Sequence, residues 1–401
     1  MREIKYWIQA FFLPIYWISF LMPRNKEVWV FGSTFGKRFA DNPRYFYLYV
    51  SQFEKEYIRP VWISRDKKIV SLLNEMGYLA YYNKSFKGIW TCLRARVYLY
   101  DNYSKDISFL LSGRAIKINM WHGIPLKKIN NDNKFDQVRN PQNSYYKIKW
   151  GLRRMSDEKP THYVLTTAEH LRDIFFSAFQ TRNIIISGYP RNDVIQFNNI
   201  NNIYTKVESE IIKDIIENCG YNSELKKMII YMPTFRNTET LFLDIMDLKK
   251  FDDFLENEKI IFYIKLHPKS KLKHIFSNIC YKNIINIDAD IDPYSIINYS
   301  SLLITDYSSV YFDYLLTNKP IIFFNYDIEQ YLNDTREMYF EYNKVTPGIK
   351  AKNMVELQEA IKVTLNSDQY SEERFNIKNT FFDQNNYSAS EKLVKIIKSL
   401  L

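Results

Sequence analysis

Apolar positions along the chain alternate between two spacings. Short runs rich in β-branched and aromatic residues predict strands at Val28–Phe31, Pro60–Ile63, Val97–Tyr100, Ile116–Trp121, Tyr163–Thr166 and Ile184–Ser187. Between them, apolar side chains three and four positions apart predict helices over Tyr45–Phe53, Ile69–Met76 and Ala168–Phe179, with breaks at Gly32, Gly77, Gly113 and Gly188. A polar stretch, Asn198–Asn202, interrupts this rhythm. A helical pattern over Val207–Ile216 follows, and strands resume at Met228–Tyr231, Ile260–Ile264, Ile284–Ile287, Leu302–Thr305 and Ile321–Phe324. Such alternation predicts parallel strands joined by crossover helices and covered on both faces. The expectation is therefore an α/β chain of two doubly wound domains, residues 25–200 and 201–401. The amphipathic segment Ser388–Leu401 is expected to pack back on the first domain. Two such sheets facing a central cleft would gather their strand exits there, where open α/β sheets bind ligands.

The first residues break the pattern. Ile4, Trp7, Ile8, Phe11, Phe12, Ile15, Ile18 and Met22 are spaced as on one face of a helix. The mostly apolar part, Ala10–Met22, is too short to cross a bilayer of about 30 Å, and no small-residue cleavage site follows it. Arg2, Lys5, Arg24 and Lys26 flank it, and Trp and Tyr lie inside it. Residues 1–24 are thus expected to form an amphipathic helix, kinked at Pro14, lying in the interface of the cytoplasmic face of a membrane.

Composition narrows the classes. With 401 residues, 46% apolar and 25% charged, the chain can bury two cores. Ten Gly and thirteen Pro exclude collagen-like or linker-rich architecture. A formal charge of +10 favours anionic partners without choosing among a membrane, a nucleotide and a phosphate polymer. Three widely separated cysteines, Cys92, Cys219 and Cys280, indicate neither a disulfide framework nor a zinc site.

Candidate chemistry collects just after the predicted strands. His122 follows Ile116–Trp121 and precedes Gly123 and a Pro-stiffened turn with Lys127; an imidazole there can accept a proton at neutral pH. Arg191 follows Ile184–Ser187, Arg236 follows Met228–Tyr231, and Lys265 and His267 follow Ile260–Ile264. In Leu302–Leu316, a strand stops at Asp306, and Ser308 and Ser309 open a second apolar pattern as hydroxyl caps of a helix, whose N–H groups would bind an anion. Arg236, Lys265, His267 and that helix start together describe a diphosphate clamp. Asp306 is placed to orient a hydroxyl or a histidine, and Asp327, after Ile321–Phe324, to hold a polyol hydroxyl. No P-loop, Gly-rich dinucleotide fingerprint or Gly-x-Ser-x-Gly elbow occurs, and no His/Asp/Cys cluster has metal-ligand spacing, so no metal or cofactor is expected.

At these residues the sequence resembles the CDP-glycerol glycerophosphotransferases, enzymes that prime or extend teichoic acids and similar glycerol- or ribitol-phosphate polymers. The segments that carry the resemblance are WHGIPLKKI (Trp121–Ile129), GYPRND (Gly188–Asp193), YMPTFR (Tyr231–Arg236), IKLHPK (Ile264–Lys269) and ITDYSSVYFDY (Ile304–Tyr314). Phe235 stands where the family usually has Trp, and Arg336 is followed by Glu337 and Met338 where it favours Arg-Gly. The resemblance implies two Rossmann-like domains of GT-B type and metal-independent transfer at the cytoplasmic face of the bacterial membrane, where the protein is peripheral. It implies His122 as general base, and His267 on the donor phosphates. Asp306, Ser308 and Ser309 would grip the diphosphate with Arg236 and Lys265. Arg191, Asp327 and Lys127 are the expected polyol or acceptor contacts. The implied reaction moves glycerol phosphate from CDP-glycerol to a hydroxyl of a lipid-linked glycan or polyol-phosphate polymer, releasing CMP, in teichoic acid or capsule synthesis. CDP-ribitol as donor and a GT-B glycosyltransferase using a nucleotide sugar are the alternatives. A non-enzymatic protein that binds lipid or nucleic acid is disfavoured, because its cations would form a run or one helix face rather than mark strand exits.

Overall fold

The computed structural model describes residues 11–136, 138–157, 161–197, 204–219, 226–235, 239–278, 281–334, 337–383 and 388–401. The chain divides into two compact units. The first takes Met1–His122, Ile129–Ile203 and Phe382–Leu401, and the second takes Gly123–Lys128 and Tyr204–Phe381. The polar break at Asn198–Asn202 lies outside the described residues.

The first unit holds β1 (Asn25–Gly32), β2 (Arg59–Ser64), β3 (Ala80–Tyr82), β4 (Ala95–Tyr100), β5 (Ile116–Asn119), β6 (Tyr163–Thr166) and β7 (Ile184–Ile186). They form one parallel sheet in the order β3-β2-β1-β4-β5-β6-β7. The strand order reverses between β1 and β4, so the crevice above those two strands is the place where such sheets bind ligands. Trp29, Val30, Phe31, Val61, Trp62, Ile63, Tyr98, Leu99 and Tyr100 are all fully buried. Consecutive buried residues mean that both sheet faces are covered, as parallel strands require. The helix Asp41–Phe53 covers one face with Tyr45, Phe46, Tyr47 and Leu48.

The second unit repeats the plan with β8 (Lys227–Tyr231), β9 (Ile260–Lys265), β10 (Ile284–Ile287), β11 (Leu302–Thr305), β12 (Ile321–Phe324) and β13 (Ile349–Ala351). Their order is β10-β9-β8-β11-β12-β13, parallel throughout, with the reversal between β8 and β11. Its core joins Ile229, Tyr231, Phe251, Phe262, Ile264, Ile304, Ile322, Phe324 and Ile361.

Four departures from the sequence reading have physical causes. Strands β3 (Ala-Tyr-Tyr) and β13 (Ile-Lys-Ala) carry no predicted run because three residues show no period and neither has the unbroken β-branched run of the equally short β7 (Ile-Ile-Ile). Strand β5 ends at Asn119 and not at Trp121, because the Asn119 side chain accepts the Trp121 N–H (2.9 Å) and Trp121 turns to φ 53°. The helix after β11 is short, Val310–Tyr314, followed by a 3-10 turn over Leu315–Thr317, and the Ser309 hydroxyl makes no capping bond. At the N-terminus, residues 1–10 of the expected interfacial helix lie outside the described residues. The rest forms a helix over Leu13–Ile18 with Pro14 in its first turn, where a missing N–H costs nothing. Tyr16 stacks on Phe109 at 4.4 Å, and Arg24 donates to the carbonyls of Ser19, Cys92, Ala95 and Leu111. Phe11, Trp17, Ile18 and Leu21 remain exposed.

The helix Ala389–Ser399 belongs to the first unit: the Asp193 carboxylate accepts the N–H groups of Ala389 (2.7 Å) and Ser390 (2.9 Å). Among the described residues, no helix is long and apolar enough to cross a membrane.

Candidate active site

In the first unit the chemistry sits at the strand reversal. The turn after β1 and the turn after β4 are locked together by two buried carboxylates. Asp101 accepts from the Ser33 hydroxyl (2.6 Å) and the Thr34 N–H (3.0 Å), and Asp106 from the N–H groups of Phe35 (2.7 Å) and Asn102 (2.9 Å). Burial, reinforced by neighbouring Asp101, pushes the Asp106 carboxyl well above its ordinary range. These side chains hold backbone, so their role is scaffolding.

What they hold is the seat of His122. Its imidazole is exposed, and Nδ1 lies 3.3 Å from the Asp101 carbonyl oxygen. A carbonyl can only accept, so Nδ1 carries a hydrogen, and in the neutral ring Nε2 then holds the lone pair. Trp121, at φ 53°, and Gly123, at φ 138°, flank it in backbone conformations that turn the chain sharply on both sides. The Trp121 ring stacks against the imidazole with centroids 3.8 Å apart. Asn42, fully buried, donates to the carbonyls of Met120 (3.2 Å) and Trp121 (2.9 Å) and accepts the Arg191 N–H (3.2 Å). Arg191 is itself 3% exposed and paired with Asp41 at 2.7 Å. Its guanidinium therefore braces the turn that supports His122.

In the second unit the exits of β8 and β11 are tied by Asp306. Its fully buried carboxylate accepts the Thr234 N–H (2.9 and 3.1 Å) and the N–H of Tyr307 (2.5 Å). This carboxylate shapes the two turns, while the half-buried Ser308 and Ser309 beside it border open space. His267, exposed after β9, accepts the Lys269 N–H at Nδ1 (3.2 Å), which leaves the hydrogen on Nε2. Phe235 stacks on His267 with centroids 5.6 Å apart, and both line a recess of about 330 Å³ with Tyr231, Thr234, Glu239 and Tyr326. Lys265 is 6% exposed and donates to the Ala289 carbonyl (2.8 Å), so its charge acts from beneath the β9 exit. Arg236 lies outside the described residues.

Asp327 accepts from Tyr307 Oη (3.1 Å), Tyr307 stacks on Tyr331 at 4.1 Å, and Lys127 Nζ donates to Tyr331 Oη (2.9 Å). Lys127 belongs to this unit because Gly123–Lys128 pairs with the chain at Glu337–Tyr339. Lys128 N–H donates to the Glu337 carbonyl (2.8 Å), and Tyr339 N–H to that of Leu126 (3.0 Å). Sequence reading passed over Asn42, Glu239, Tyr307 and Tyr331. Tyr307 lies inside the Asp-Tyr-Ser-Ser turn and was within reach of it; Asn42 and Tyr331 carry no local signal.

The profile of the CDP-Glycerol:Poly(glycerophosphate) glycerophosphotransferase family matches residues 15–399. The chain belongs to that family. It is 30% identical over 395 residues to the teichoic acid poly(glycerol phosphate) polymerase of Bacillus spizizenii, covering 95% of this chain and 93% of that one. To the teichoic acid ribitol-phosphate primase of the same organism it is 25% identical, over 96% and 94% of the two chains. Among solved structures, the wall teichoic acid polymerase TagF superposes with a TM-score of 0.74 at 25% identity, covering 99% of this chain and 96% of that one. Membership makes this chain an enzyme of the glycerophosphotransferase class, with CDP-glycerol as donor and a polymer as acceptor.

Proposed function

We propose that this glycerophosphotransferase uses His122 as general base and His267 as a donor to the diphosphate of CDP-glycerol. The observation that carries the reading is the seat of His122, whose Nδ1 meets the Asp101 carbonyl so that, in the neutral ring, Nε2 holds the lone pair. An acceptor hydroxyl gives its proton to His122 Nε2, and its oxygen bonds to the β-phosphorus, which bears the glycerol. The bond from that phosphorus to the bridging oxygen breaks, and the oxygen leaves on CMP with the electron pair. Such transfers depend on positioning and charge stabilisation more than on covalent help from the protein. His267 Nε2–H, Arg236 and the hydroxyls of Ser308 and Ser309 meet the phosphate oxygens, and buried Lys265 adds positive potential. Lys127 and Asp327 flank the donor's polyol. No metal ion is needed in this scheme. Glycerol is favoured over ribitol as donor because the glycerol-phosphate polymerase is the nearer of the two relatives compared.

The acceptor is lipid-linked, and the protein is peripheral on the cytoplasmic membrane face. Phe11, Trp17, Ile18 and Leu21 insert into the interface, and the charge of +10 favours anionic lipid. Purified His122→Ala is expected to bind CDP-glycerol as the wild type does and to release no CMP when acceptor is added. Release at the wild-type rate would remove His122 from the chemistry.

A further inference from the structure

The first unit carries a recess that the reaction scheme above does not use. It has a volume of about 310 Å³ and opens beside the exits of β4 and β5, lined chiefly by Asn102, Asn119, Asn131, Arg139, Thr161 and Phe179. We propose that this recess receives the terminal polyol of the acceptor chain, the unit whose hydroxyl His122 deprotonates. This assignment rests on the transferase reading given above.

The lining is chemically selective. Carboxamides and a threonine hydroxyl both donate and accept hydrogen bonds, which matches the hydroxyl groups of a polyol. Among the described residues, no carboxylate lines the recess. The one formal charge among its described lining residues, Arg139, is already paired with Asp136 and also donates to Tyr103 Oη (3.3 Å). A phosphate monoester would therefore find no uncompensated cation, whereas a neutral, hydroxyl-bearing carbon chain finds amides on one side and the Phe179 ring on another.

The wall is also preorganised. Asn131 Nδ2 donates to the Ala178 carbonyl (2.8 Å), Asn102 Nδ2 to Asp101 Oδ1 (2.7 Å) and Asn119 Nδ2 to the Asn102 carbonyl (2.9 Å). The amide oxygens of Asn102 and Asn131 are the ends left to meet a ligand.

Continuity with the base completes the argument. Phe179 meets the Trp121 ring edge to face at 4.8 Å, and Asn119 accepts the Trp121 N–H; Asn102 follows Asp101, whose carbonyl fixes the His122 tautomer. Three walls of the recess thus adjoin the residues that seat His122.

The test uses the full chain, CDP-glycerol and a soluble trimer of glycerol phosphate ending in a free glycerol. Asn131→Ala removes one or two hydrogen bonds and is expected to raise the KM for the trimer about 3- to 10-fold. Asn131→Trp fills the recess and should raise it further. The KM for CDP-glycerol should stay within about twofold in both. A trimer KM unchanged in both variants, or a donor KM that rises in parallel, would overturn the assignment. Titration calorimetry reads the recess without turnover: the trimer should bind wild type and not Asn131→Trp. A trimer capped by a terminal phosphate monoester should bind wild type about tenfold more weakly. Equal binding of the capped trimer, or no binding of the uncapped one, would also overturn it. A wild type that binds the trimer yet releases no CMP from CDP-glycerol would refute the transfer reaction and leave the recess standing.

Discussion

Asn42 offers the sharpest test of how His122 is held. It is fully buried, and its amide makes three hydrogen bonds: two to the carbonyls of Met120 and Trp121 and one from the Arg191 N–H. In Asn42→Ala all three backbone groups lose this partner. At ~0.5–1.5 kcal/mol for each bond, with a larger penalty for any group left dry, the loss is about 3 kcal/mol. For a unit of this size that corresponds to a fall in Tm of roughly 6–12 °C. A functional loss should accompany it. Trp121 occupies a left-handed conformation at φ 53°, which costs a non-glycine residue about 1–2 kcal/mol and persists only while its surroundings enforce it. Without the Asn42 clamp the turn relaxes, and a displacement of about 1 Å at the base is worth roughly 100-fold in kcat. Scanning calorimetry and CMP release, with CDP-glycerol affinity as the control, read the three quantities separately. A variant that melts with the wild type and turns over within about twofold of it would refute the claim that Asn42 seats the base.

The remaining predictions concern the frame and the reaction. Burial raises the Asp193 carboxyl from 3.8 to about 6 against the lowering effect of the Ala389 and Ser390 N–H groups. The folded protein therefore holds a proton that the unfolded chain releases, and the stability this group contributes is present at low pH and lost as pH rises through about 6. Urea midpoints measured between these two pH values should show that decline in wild type and not in Asp193→Asn. A Cβ on Gly348 would lie 2.0 Å from the Ile321 carbonyl oxygen, so Gly348→Ala should displace edge strand β13 and cost about 1–3 kcal/mol, read as a lower denaturation midpoint. CMP release should be unchanged by excess EDTA under the proposal that protein cations and N–H groups carry the phosphate charge; restoration of lost activity by a divalent ion would refute that. Trp17→Glu with Leu21→Glu should reduce pelleting with anionic vesicles and leave turnover of a soluble acceptor intact, since both side chains are exposed and make no part of either site.

The strands were legible wherever apolar, mostly β-branched or aromatic residues dominate a short run. Tyr163–Thr166, Ile284–Ile287, Leu302–Thr305 and Ile321–Phe324 were read to the residue. The strands Ala80–Tyr82 and Ile349–Ala351 were not, because their three residues carry neither a period nor the unbroken β-branched run that marks the equally short edge strand Ile184–Ile186. The strand exits that carry His122, His267, Ser308 and Ser309 were also legible, since a motif after a strand points to the ligand side of a parallel sheet.

Side-chain roles at those exits were less so. Asp306 and Arg191 look alike in sequence to ligand-binding groups, yet one accepts backbone N–H groups and the other pairs with Asp41. Local sequence determined that this chain forms two parallel α/β sheets and which turns bear imidazoles, hydroxyls and cations, because periodicity and turn chemistry act over a few residues. Tertiary structure alone decided which nitrogen of His122 faces a carbonyl, which charges are committed to the scaffold, and that Asn42, 80 positions from His122, holds the turn that bears it. Those outcomes depend on partners 20 to 150 residues apart, such as Asp101 with His122 and Asn42 with Arg191, and no short window of sequence contains both members of such a pair.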